Sequence, residues 1–348
     1  MNEKSNFISF IRWILTAIAA AVIAMAVLSV FAFLYEYSGI HSKNESGATD
    51  YKWQSDHIAT TMKEGFSYIQ YDENGFNNIG GENGDVDILL MGSSHMEAVN
   101  VAQDENTAAL LNTMIPDMHT YNIGVSGHDI YRCVDNFDEA VSYYKPSEYV
   151  IIETSTVKLS VSEMNKIVTG EGKPIPSYNG GILNTLQKIP AFKPLYKQFD
   201  EWYGKRETFG FSVGSENTYD EDELSENTEI SEEYRESLTS FLNMVASCSK
   251  EADITPIIFY APVQGIEPDG GTYYDTDAAY FDVYEDTCDK LGIVFVDVTD
   301  EFDELYNEEH ILAHGFANTA VGVGHLNKYG HKAIAEALCE AIKEKEAK

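Results

Sequence analysis

Residues 86–95 read VDILLMGSSH, an apolar run that ends abruptly in glycine, two serines and a histidine. A continuous apolar run of this length is typical of a strand buried on both faces of a sheet. We predict a strand over Val86–Met91, which ends in Gly92-Ser93-Ser94-His95 and is followed by a helical stretch. The glycine allows a sharp turn from strand to helix. The stretch therefore predicts the first βα unit of a parallel sheet.

Further apolar runs continue this pattern along the chain. They predict strands at 119–123, 149–153, 254–261 and 292–298. Helical patterns follow the second strand, at 131–144, and close the chain, at 328–345. Strands that alternate with helices indicate βαβ units, and apolar strands indicate a sheet covered on both faces. The predicted fold class is therefore α/β with a parallel sheet.

A long uncharged stretch, Trp13–Tyr35, precedes these elements. At 1.5 Å per residue it is long enough to cross a hydrocarbon core of about 30 Å. It lacks the small-residue cleavage pattern of a signal peptide. Lys4 and Arg12 precede it, which places the N-terminus in the cytoplasm by the positive-inside rule. We therefore predict a cytoplasmic segment at 1–12, a single transmembrane anchor at 13–35 and a domain outside the cell membrane.

The exported part divides into two regions by composition. Residues 36–84 are polar and rich in glycine, so we interpret them as a stalk leading into the domain, with a short helix near 58–64. Residues 85–348 form the α/β domain, with an insertion at 160–235 between the third and fourth strands. The insertion begins with aromatic residues and continues into a stretch, 216–236, with ten acidic residues. We interpret that stretch as a solvated loop rather than a cation site.

The charge balance excludes several kinds of partner. A formal net charge of -34 repels phosphate backbones, so no nucleic acid is expected, and it disfavours docking onto anionic lipid. The four cysteines form no CxxC pair and have no histidine at metal-ligand spacing. We therefore predict no metal site and no cofactor.

Three loops at the predicted carboxyl edge of the sheet carry reactive groups. Open parallel sheets place active sites at that edge. Ser94 there has a reachable hydroxyl, and Gly127, after the second strand, offers an unobstructed backbone N–H to an oxyanion. His325 stands just before the final helix and can take a proton from Ser94 and return it. The sequence thus predicts a serine nucleophile with a histidine base.

This constellation resembles the SGNH (GDSL-like) hydrolase superfamily of esterases and acyltransferases. Gly92-Ser93-Ser94 is similar to its first block, Asn122–Gly127 to its second and Gly324–Asn327 to its last. The likeness extends over residues 86 to about 345. It implies a flavodoxin-like, three-layer parallel sheet, with Ser94 as nucleophile, the N–H groups of Ser94 and Gly127 as oxyanion donors, and His325 as base.

The G-S-S-H and H-L-N elements, together with the anchor, are similar to the membrane-anchored branch that includes the DltD-type proteins of teichoic acid D-alanylation. This similarity implies acyl chemistry on a cell-envelope polysaccharide or glycolipid. It also implies a membrane-bound O-acyltransferase as partner.

The chain departs from the family pattern at two positions. The third block normally ends its strand with Gly-x-Asn, but here the chain reads Glu153-Thr154-Ser155-Thr156. A hydroxyl of Ser155 or Thr156 is the expected substitute for the missing oxyanion donor. The aspartate three residues before the histidine is replaced by Gly322. A backbone carbonyl, Glu309 or Asp303 is the expected partner of His325 instead, which leaves a Ser–His dyad.

Several nearby polar residues have less specific signals. His95 is expected to cover the site and contact substrate, or else to cap the helix, and Asn122, His128 and Asn318 are expected to contact substrate. His314 and His331 are expected to be surface or capping residues. Two functions stay open: a serine esterase or O-acyltransferase, and a catalytically weak or inactive glycan-binding scaffold on the same fold.

Overall fold

The computed structural model of the protein describes residues 3–37, 41–62, 64–80, 85–172, 191, 230–267, 270–274 and 276–347. A parallel sheet of five strands lies at its centre. These strands are β6 (Ile88–Met91), β7 (Thr120–Asn122), β8 (Tyr149–Thr154), β9 (Thr255–Tyr260) and β12 (Val294–Asp297). They lie in the order β7-β6-β8-β9-β12, and every adjacent pair is parallel.

This order, 2-1-3-4-5 in chain sequence, is that of the flavodoxin-like doubly wound fold. The order reverses between β6 and β8, so a crevice opens there at the carboxyl ends of the strands. The predicted fold class, an α/β parallel sheet preceded by a long apolar helix, is confirmed. Strand positions follow the apolar runs because every residue of β6 and β8 is buried.

Helices cover both faces of the sheet. One face carries α4 (Ile130–Asp135), α5 (Phe137–Tyr144), α6 (Val161–Val168), α7 (Glu232–Ala252) and α8 (Ala278–Leu291). The other carries α3 (Thr107–Met114), α9 (Thr299–Glu309) and α10 (Lys328–Glu346). Phe241 and Phe302 are fully buried, one on each face. Truncating either to alanine would cost about 3–5 kcal/mol of stability, because the core would not close over the cavity.

Shorter helices and strands complete the α/β domain. Helix α2 (Ser94–Glu97) follows β6, and a turn of 3₁₀ helix spans Gln103–Glu105. Strands β10 (Gln264–Ile266) and β11 (Thr272–Tyr274) form a hairpin, as do β13 (His314–Gly315) and β14 (Val321–Leu326). The second hairpin directly precedes α10 and carries His325.

The segment predicted as a stalk is folded onto the α/β domain. It forms β1 (Glu36–Tyr37), β2 (His41–Lys43), β3 (Tyr51–Trp53), β4 (Ile58–Thr61) and β5 (Ser67–Gln70). The Tyr121 hydroxyl donates to Asp72 at 2.8 Å, and the Asn78 amide donates to the Asn122 carbonyl at 2.9 Å. The predicted helix near 58–64 is wrong, because the β-branched run Ile58–Thr61 pairs with β5 instead.

The N-terminal helix α1 (Glu3–Tyr35) contains a span, Asn6–Leu34, that is long and apolar enough to cross a membrane. A signal sequence near the N-terminus meets the same criteria of length and composition. The Thr60 hydroxyl donates to the Phe33 carbonyl, so the end of α1 is tied to β4. Most of the insertion, including its aromatic part and residues 216–229, lies outside the described residues.

Candidate active site

Ser94 lies at the carboxyl end of β6, as the first residue of α2. Gly92 is required before it, because a Cβ there would lie 2.5 Å from Glu153 Oε2. Ser93 caps the helix, since its hydroxyl accepts the His95 N–H at 3.2 Å. The Ser94 side chain is partly exposed, and its hydroxyl has no hydrogen-bond partner among the described residues. Of the two serines, Ser94 therefore has the free hydroxyl.

His325 is held by a carboxylate that the sequence did not indicate. Its Nδ1 lies 2.8 Å from Glu64 Oε2, and its backbone N–H donates to Glu64 Oε1, also at 2.8 Å. Donation from Nδ1 fixes the tautomer in which Nε2 carries a lone pair. Burial raises the pKa of Glu64, but the hydrogen bonds from His325 outweigh it and hold that pKa below its ordinary value. Glu64 is therefore ionised at neutral pH.

The predicted partners of His325 lie elsewhere. Asp303, in α9, accepts hydrogen bonds from Thr272 and Tyr274 of β11, at 2.7 and 2.8 Å, so it holds that hairpin and not His325. Glu309 is exposed at the end of α9. The prediction of a dyad without a carboxylate is wrong, because the carboxylate comes from the segment that was interpreted as a stalk.

The loop that carries Glu64 is fixed by two asparagines. The Asn318 amide donates to the carbonyls of Met62 and Gly65, each at 2.9 Å, and its oxygen accepts the Gly65 N–H at 3.0 Å. The Asn100 amide donates to the Glu64 carbonyl at 2.9 Å. Asn318 was expected to contact substrate, but its amide atoms are used to hold this loop.

Gly324 leaves room for the carboxylate to reach its histidine. A Cβ on Gly324 would lie 2.2 Å from Glu64 Oε1, and the residue has φ of +99°. Both the space and the backbone conformation therefore require glycine at this position.

Gly127 occupies a turn beside α2. The His128 N–H donates to the Val125 carbonyl at 3.1 Å, and Gly127 takes the positive φ, +84°, at the third position of that turn. Apart from its two chain neighbours, no described residue has a heavy atom within 4 Å of where its Cβ would be. Glycine is therefore needed for its conformation, and this side of the residue is open.

A buried carboxylate joins the Gly127 turn to the helix of Ser94. Glu97, only 1% exposed, accepts from the Ser126 N–H at 2.7 Å, from the Ser126 hydroxyl and from the Trp53 indole N–H. Burial raises the pKa of Glu97 in spite of these donors. Because Glu97 is in α2 and Ser126 precedes Gly127, this contact fixes the turn relative to Ser94.

His95 forms a second histidine–carboxylate pair next to Ser94. Its Nδ1 lies 3.0 Å from Glu153 Oε1, and Glu153 Oε2 accepts the Ser93 N–H at 2.7 Å. Burial raises the pKa of Glu153, but the bonds from His95 and Ser93 outweigh it and lower that pKa. The His95 ring lies edge-on to the His325 ring, with 5.8 Å between centroids. Since α2 packs against β14, Ser94 and His325 lie at the same edge of the sheet.

His314 and His331 are buried, contrary to the prediction of surface positions. Burial lowers the pKa of each to about 3, so both are neutral at pH 7. His331 bonds to the Thr107 hydroxyl at 2.9 Å, whereas neither ring nitrogen of His314 has a partner among the described residues. In the described ranges, no group of three or more His, Cys, Asp or Glu side chains forms a metal site.

Other predicted contacts have structural roles. The Asn122 side chain is buried; it donates to the Met96 carbonyl at 2.7 Å and accepts the Gly124 N–H at 2.8 Å. His128 is buried 3.6 Å from Asp50, and burial lowers its pKa to about 4. Neither side chain is placed to meet substrate. Ser155 is exposed in the loop after β8.

Sequence reasoning missed three carboxylates: Glu64, Glu97 and Glu153. The sequence did indicate a role for Glu153, because it ends the apolar run YVIIE. A carboxylate buried at such a position needs a hydrogen-bonding partner. No such indication exists in the sequence for Glu64 and Glu97, since their hydrogen-bonding partners are distant in sequence.

Several solved structures are similar to the chain. One is an α/β-hydrolase enzyme from the metagenome of Lake Arreo, with 19% identity over 76% of this chain and 98% of that one, at a TM-score of 0.39. The psychrotrophic esterase EstA from Pseudoalteromonas sp. has 13% identity over 75% and 98%, at 0.39. A GDSL-like lipase from Bacteroides thetaiotaomicron has 14% identity over 74% and 88%, at 0.31.

No protein-family model and no curated protein matches the sequence. Because the three TM-scores are below 0.5, the fold class rests on the strand order and the site on its own side chains.

Proposed function

We propose that the chain is a serine esterase or O-acyltransferase of the SGNH (GDSL-like) superfamily. Ser94 is the nucleophile and His325 the general base, with Glu64 as the carboxylate that orients it. The observation that carries the proposal is the 2.8 Å contact between Glu64 and His325 Nδ1, which leaves the lone pair on Nε2, in a hairpin that packs against the helix of Ser94. The proposal thus assigns Ser94, His325 and Glu64 the nucleophile, base and orienting roles of a serine triad.

The chemistry follows from these roles. The Ser94 Oγ forms a bond to the acyl carbon, the carbonyl π electrons move to oxygen, and the hydroxyl proton passes to His325 Nε2. Collapse of this intermediate breaks the ester C–O bond, and His325 returns the proton to the departing alcohol. Water or a sugar hydroxyl then attacks the acyl-serine and gives its proton to His325, which passes it to Ser94 as that oxygen leaves. Water gives hydrolysis, and a sugar gives transfer.

The backbone N–H groups of Ser94 and Gly127 stabilise the oxyanion. The Glu97–Ser126 contact supports this role, since it holds the turn of Gly127 against α2. Donors fixed in this way need no reorganisation when charge develops on the carbonyl oxygen.

The end of α1 lies close to the segment that carries Glu64, which favours a substrate near a bilayer. Thr60 bonds to Phe33 at the end of α1, and Glu64 follows Thr60 by four residues, an extended reach of about 14 Å. We propose that residues 1–12 are cytoplasmic, that 13–35 anchor the chain and that the domain acts outside on a cell-envelope polysaccharide or glycolipid. A membrane-bound O-acyltransferase is the proposed partner that supplies or receives the acyl group.

A catalytically weak or inactive glycan-binding scaffold is the second candidate. The observation that favours it is the end of β8, where Glu153-Thr154-Ser155 stand without the expected asparagine donor. The Glu64–His325 pair favours the enzyme, because a scaffold has no need for an oriented imidazole.

Hydrolysis of p-nitrophenyl acetate by the full-length protein in detergent tests the proposal. Ser94→Ala is expected to reduce kcat/KM to the uncatalysed background. Ser93→Ala is the matched control; it loses a helix cap, worth about 1 kcal/mol of stability, but keeps the nucleophile. Full activity in Ser94→Ala would reject the proposal. An inactive wild-type protein that still binds acetylated glycan would favour the scaffold.

A further inference from the structure

The loop that carries Glu64 begins and ends beside the end of α1. Strands β1 and β4 are antiparallel, so Thr61, the last residue of β4, pairs with Glu36, the first residue after α1. Ser67, the first residue of β5, pairs with Thr61 in turn. Both ends of the loop between β4 and β5 are therefore level with the end of the helix, and β4 runs towards that end.

A hydrogen bond to α1 fixes this level. The Thr60 hydroxyl donates to the carbonyl of Phe33, which lies in the last turn of the apolar span Asn6–Leu34. Met62 follows Thr60 by two residues, an extended reach of about 7 Å. The headgroup layer on each side of a bilayer has a similar thickness, about 5–8 Å. With α1 across a bilayer, the start of the loop therefore lies in or next to the headgroup layer.

Exposed apolar side chains flank Glu64 in this loop. Met62 stands two residues before it and is 42% exposed, and Phe66 stands two residues after it and is 71% exposed. The backbone between them is held in place, because the Asn318 amide donates to the carbonyls of Met62 and Gly65. The loop therefore presents these two side chains from a fixed position.

The hairpin of His325 continues the exposed apolar surface. Val321 and Val323 of β14 are 68% and 40% exposed. Val321 and Phe66 line one cleft, so the loop and the hairpin meet there. We call Met62, Phe66, Val321 and Val323 the apolar rim. Apolar side chains that are exposed together, unlike single ones, mark a surface for an apolar partner.

We propose that the apolar rim docks onto the surface of the bilayer that α1 crosses. The inference rests on the proposed function, since it requires the proposed anchor at 13–35. Continuity with α1 favours lipid over a second protein, because the bond from Thr60 to Phe33 already holds the start of the loop at the end of the span. The net charge of -34 selects the lipid. Anionic headgroups would repel the domain, so the rim fits a zwitterionic surface.

Glu64 connects the docked loop to the proposed chemistry. Its carboxylate lies 2.8 Å from His325 Nδ1, so the position of the loop is also the position of the proposed base. Docking of the rim therefore places the site beside the headgroup layer. An ester that is linked to lipid reaches it there without leaving the bilayer. Of the two proposed substrate classes, a glycolipid fits this placement.

The test is quenching of a fluorophore on the full-length protein in phosphatidylcholine vesicles. Phe66→Cys and Val321→Cys carry an NBD label in a Cys248→Ser background, because Cys248 is half-buried and the other three cysteines are buried. The vesicles contain phosphatidylcholine with a nitroxide near the headgroup end of the acyl chain. Both labels are expected to lose most of their fluorescence and to shift their emission to shorter wavelength. Two positions are used so that misfolding of one variant leaves the other.

Two further labels are the controls. Ile23→Cys lies near the middle of the proposed anchor and should be quenched. Tyr143→Cys is matched to the rim in exposure, at 54%, but lies at the end of α5, before β8 begins, and hence at the amino edge of the sheet. Its label should keep its fluorescence. Thermal unfolding confirms that each labelled protein is folded.

The inference is overturned if the labels at positions 66 and 321 are quenched no more than the label at 143 while the label at 23 is quenched. In that case α1 crosses the bilayer but the rim does not touch it. If the label at 23 also keeps its fluorescence, the proposed anchor fails and the inference with it. Hydrolysis of p-nitrophenyl acetate by wild type and Ser94→Ala, measured separately, tests the proposed chemistry independently of either result.

Discussion

Glu64 Oε2 lies 2.8 Å from His325 Nδ1, although 261 positions separate the two residues in sequence. The carboxylate comes from the segment before the α/β domain, while the histidine comes from the hairpin before the last helix. The proposed triad is therefore complete only when the N-terminal segment is folded onto the domain.

Glu64→Gln is expected to reduce kcat while leaving the fold intact. An amide does not stabilise the imidazolium that forms when Ser94 loses its proton, and it can select the wrong tautomer. In a well-studied serine triad, the equivalent change costs about 10⁴ in kcat. We expect a loss of about 10²–10⁴ in the hydrolysis of p-nitrophenyl acetate. Glu73→Gln, an exposed acid on the same segment, should have no effect, and equal rates in the two variants would contradict the role of Glu64.

Gly324→Ala is expected to separate Glu64 from His325. The new methyl group would lie 2.2 Å from Glu64 Oε1, so the carboxylate must move. Gly322→Ala is a matched control, because Gly322 also has a positive φ in β14 but its Cβ would meet Leu312 instead. Both variants should lose stability in urea unfolding through backbone strain of about 1–3 kcal/mol. Only Gly324→Ala should lose activity in the fraction that remains folded; a similar loss in both would mean that strain alone is responsible.

Asn318→Ala is expected to lower activity through Glu64 alone. The asparagine makes three hydrogen bonds to the backbone of Met62 and Gly65, and none of these reaches His325 directly. A loosened loop should lower kcat by about tenfold, since small displacements of catalytic groups are costly. Combined with Glu64→Gln, the substitution should add nothing further. Additive losses in this double-mutant cycle would assign Asn318 a separate role.

His314→Leu is expected to weaken the dependence of stability on acid pH. Burial lowers the pKa of His314 to about 3, against about 6.5 in the unfolded chain, so the unfolded state binds more protons between these values. Stability is therefore full above pH 6.5 and falls as the pH decreases towards 3. One such histidine contributes about 2 kcal/mol of loss between pH 7 and pH 5. The free energy of unfolding, measured in urea at each pH, should fall by that much less in the variant. An unchanged dependence on pH in His314→Leu would contradict the assignment.

The sheet could be predicted from sequence because its strands are buried on both faces. A residue such as Ile152 has no solvent side, so the run around it is apolar throughout and easily located. The positions of Ser94 and His325 beside the sheet could be predicted for a related reason, since each stands directly next to a recognisable strand or helix.

Glu64 could not be predicted because its role depends on tertiary contact alone. It lies in a polar, glycine-containing segment, the strands on either side of it, β4 and β5, have four residues each, and its partner lies near the other end of the chain. Such a segment has the composition of a linker. The burial of His314 was missed for the same reason, because the sequence does not reveal that β13 lies beneath α2 and against Phe302.

Labelling by a fluorophosphonate probe, with the modified residue located by peptide mass spectrometry, tests the central claim most directly. We expect the wild-type protein to be modified on Ser94, Ser94→Ala to be unmodified, and His325→Ala and Glu64→Gln to be modified far more slowly. Modification at a different residue, or a rate at Ser94 that is unchanged in His325→Ala, would contradict the account.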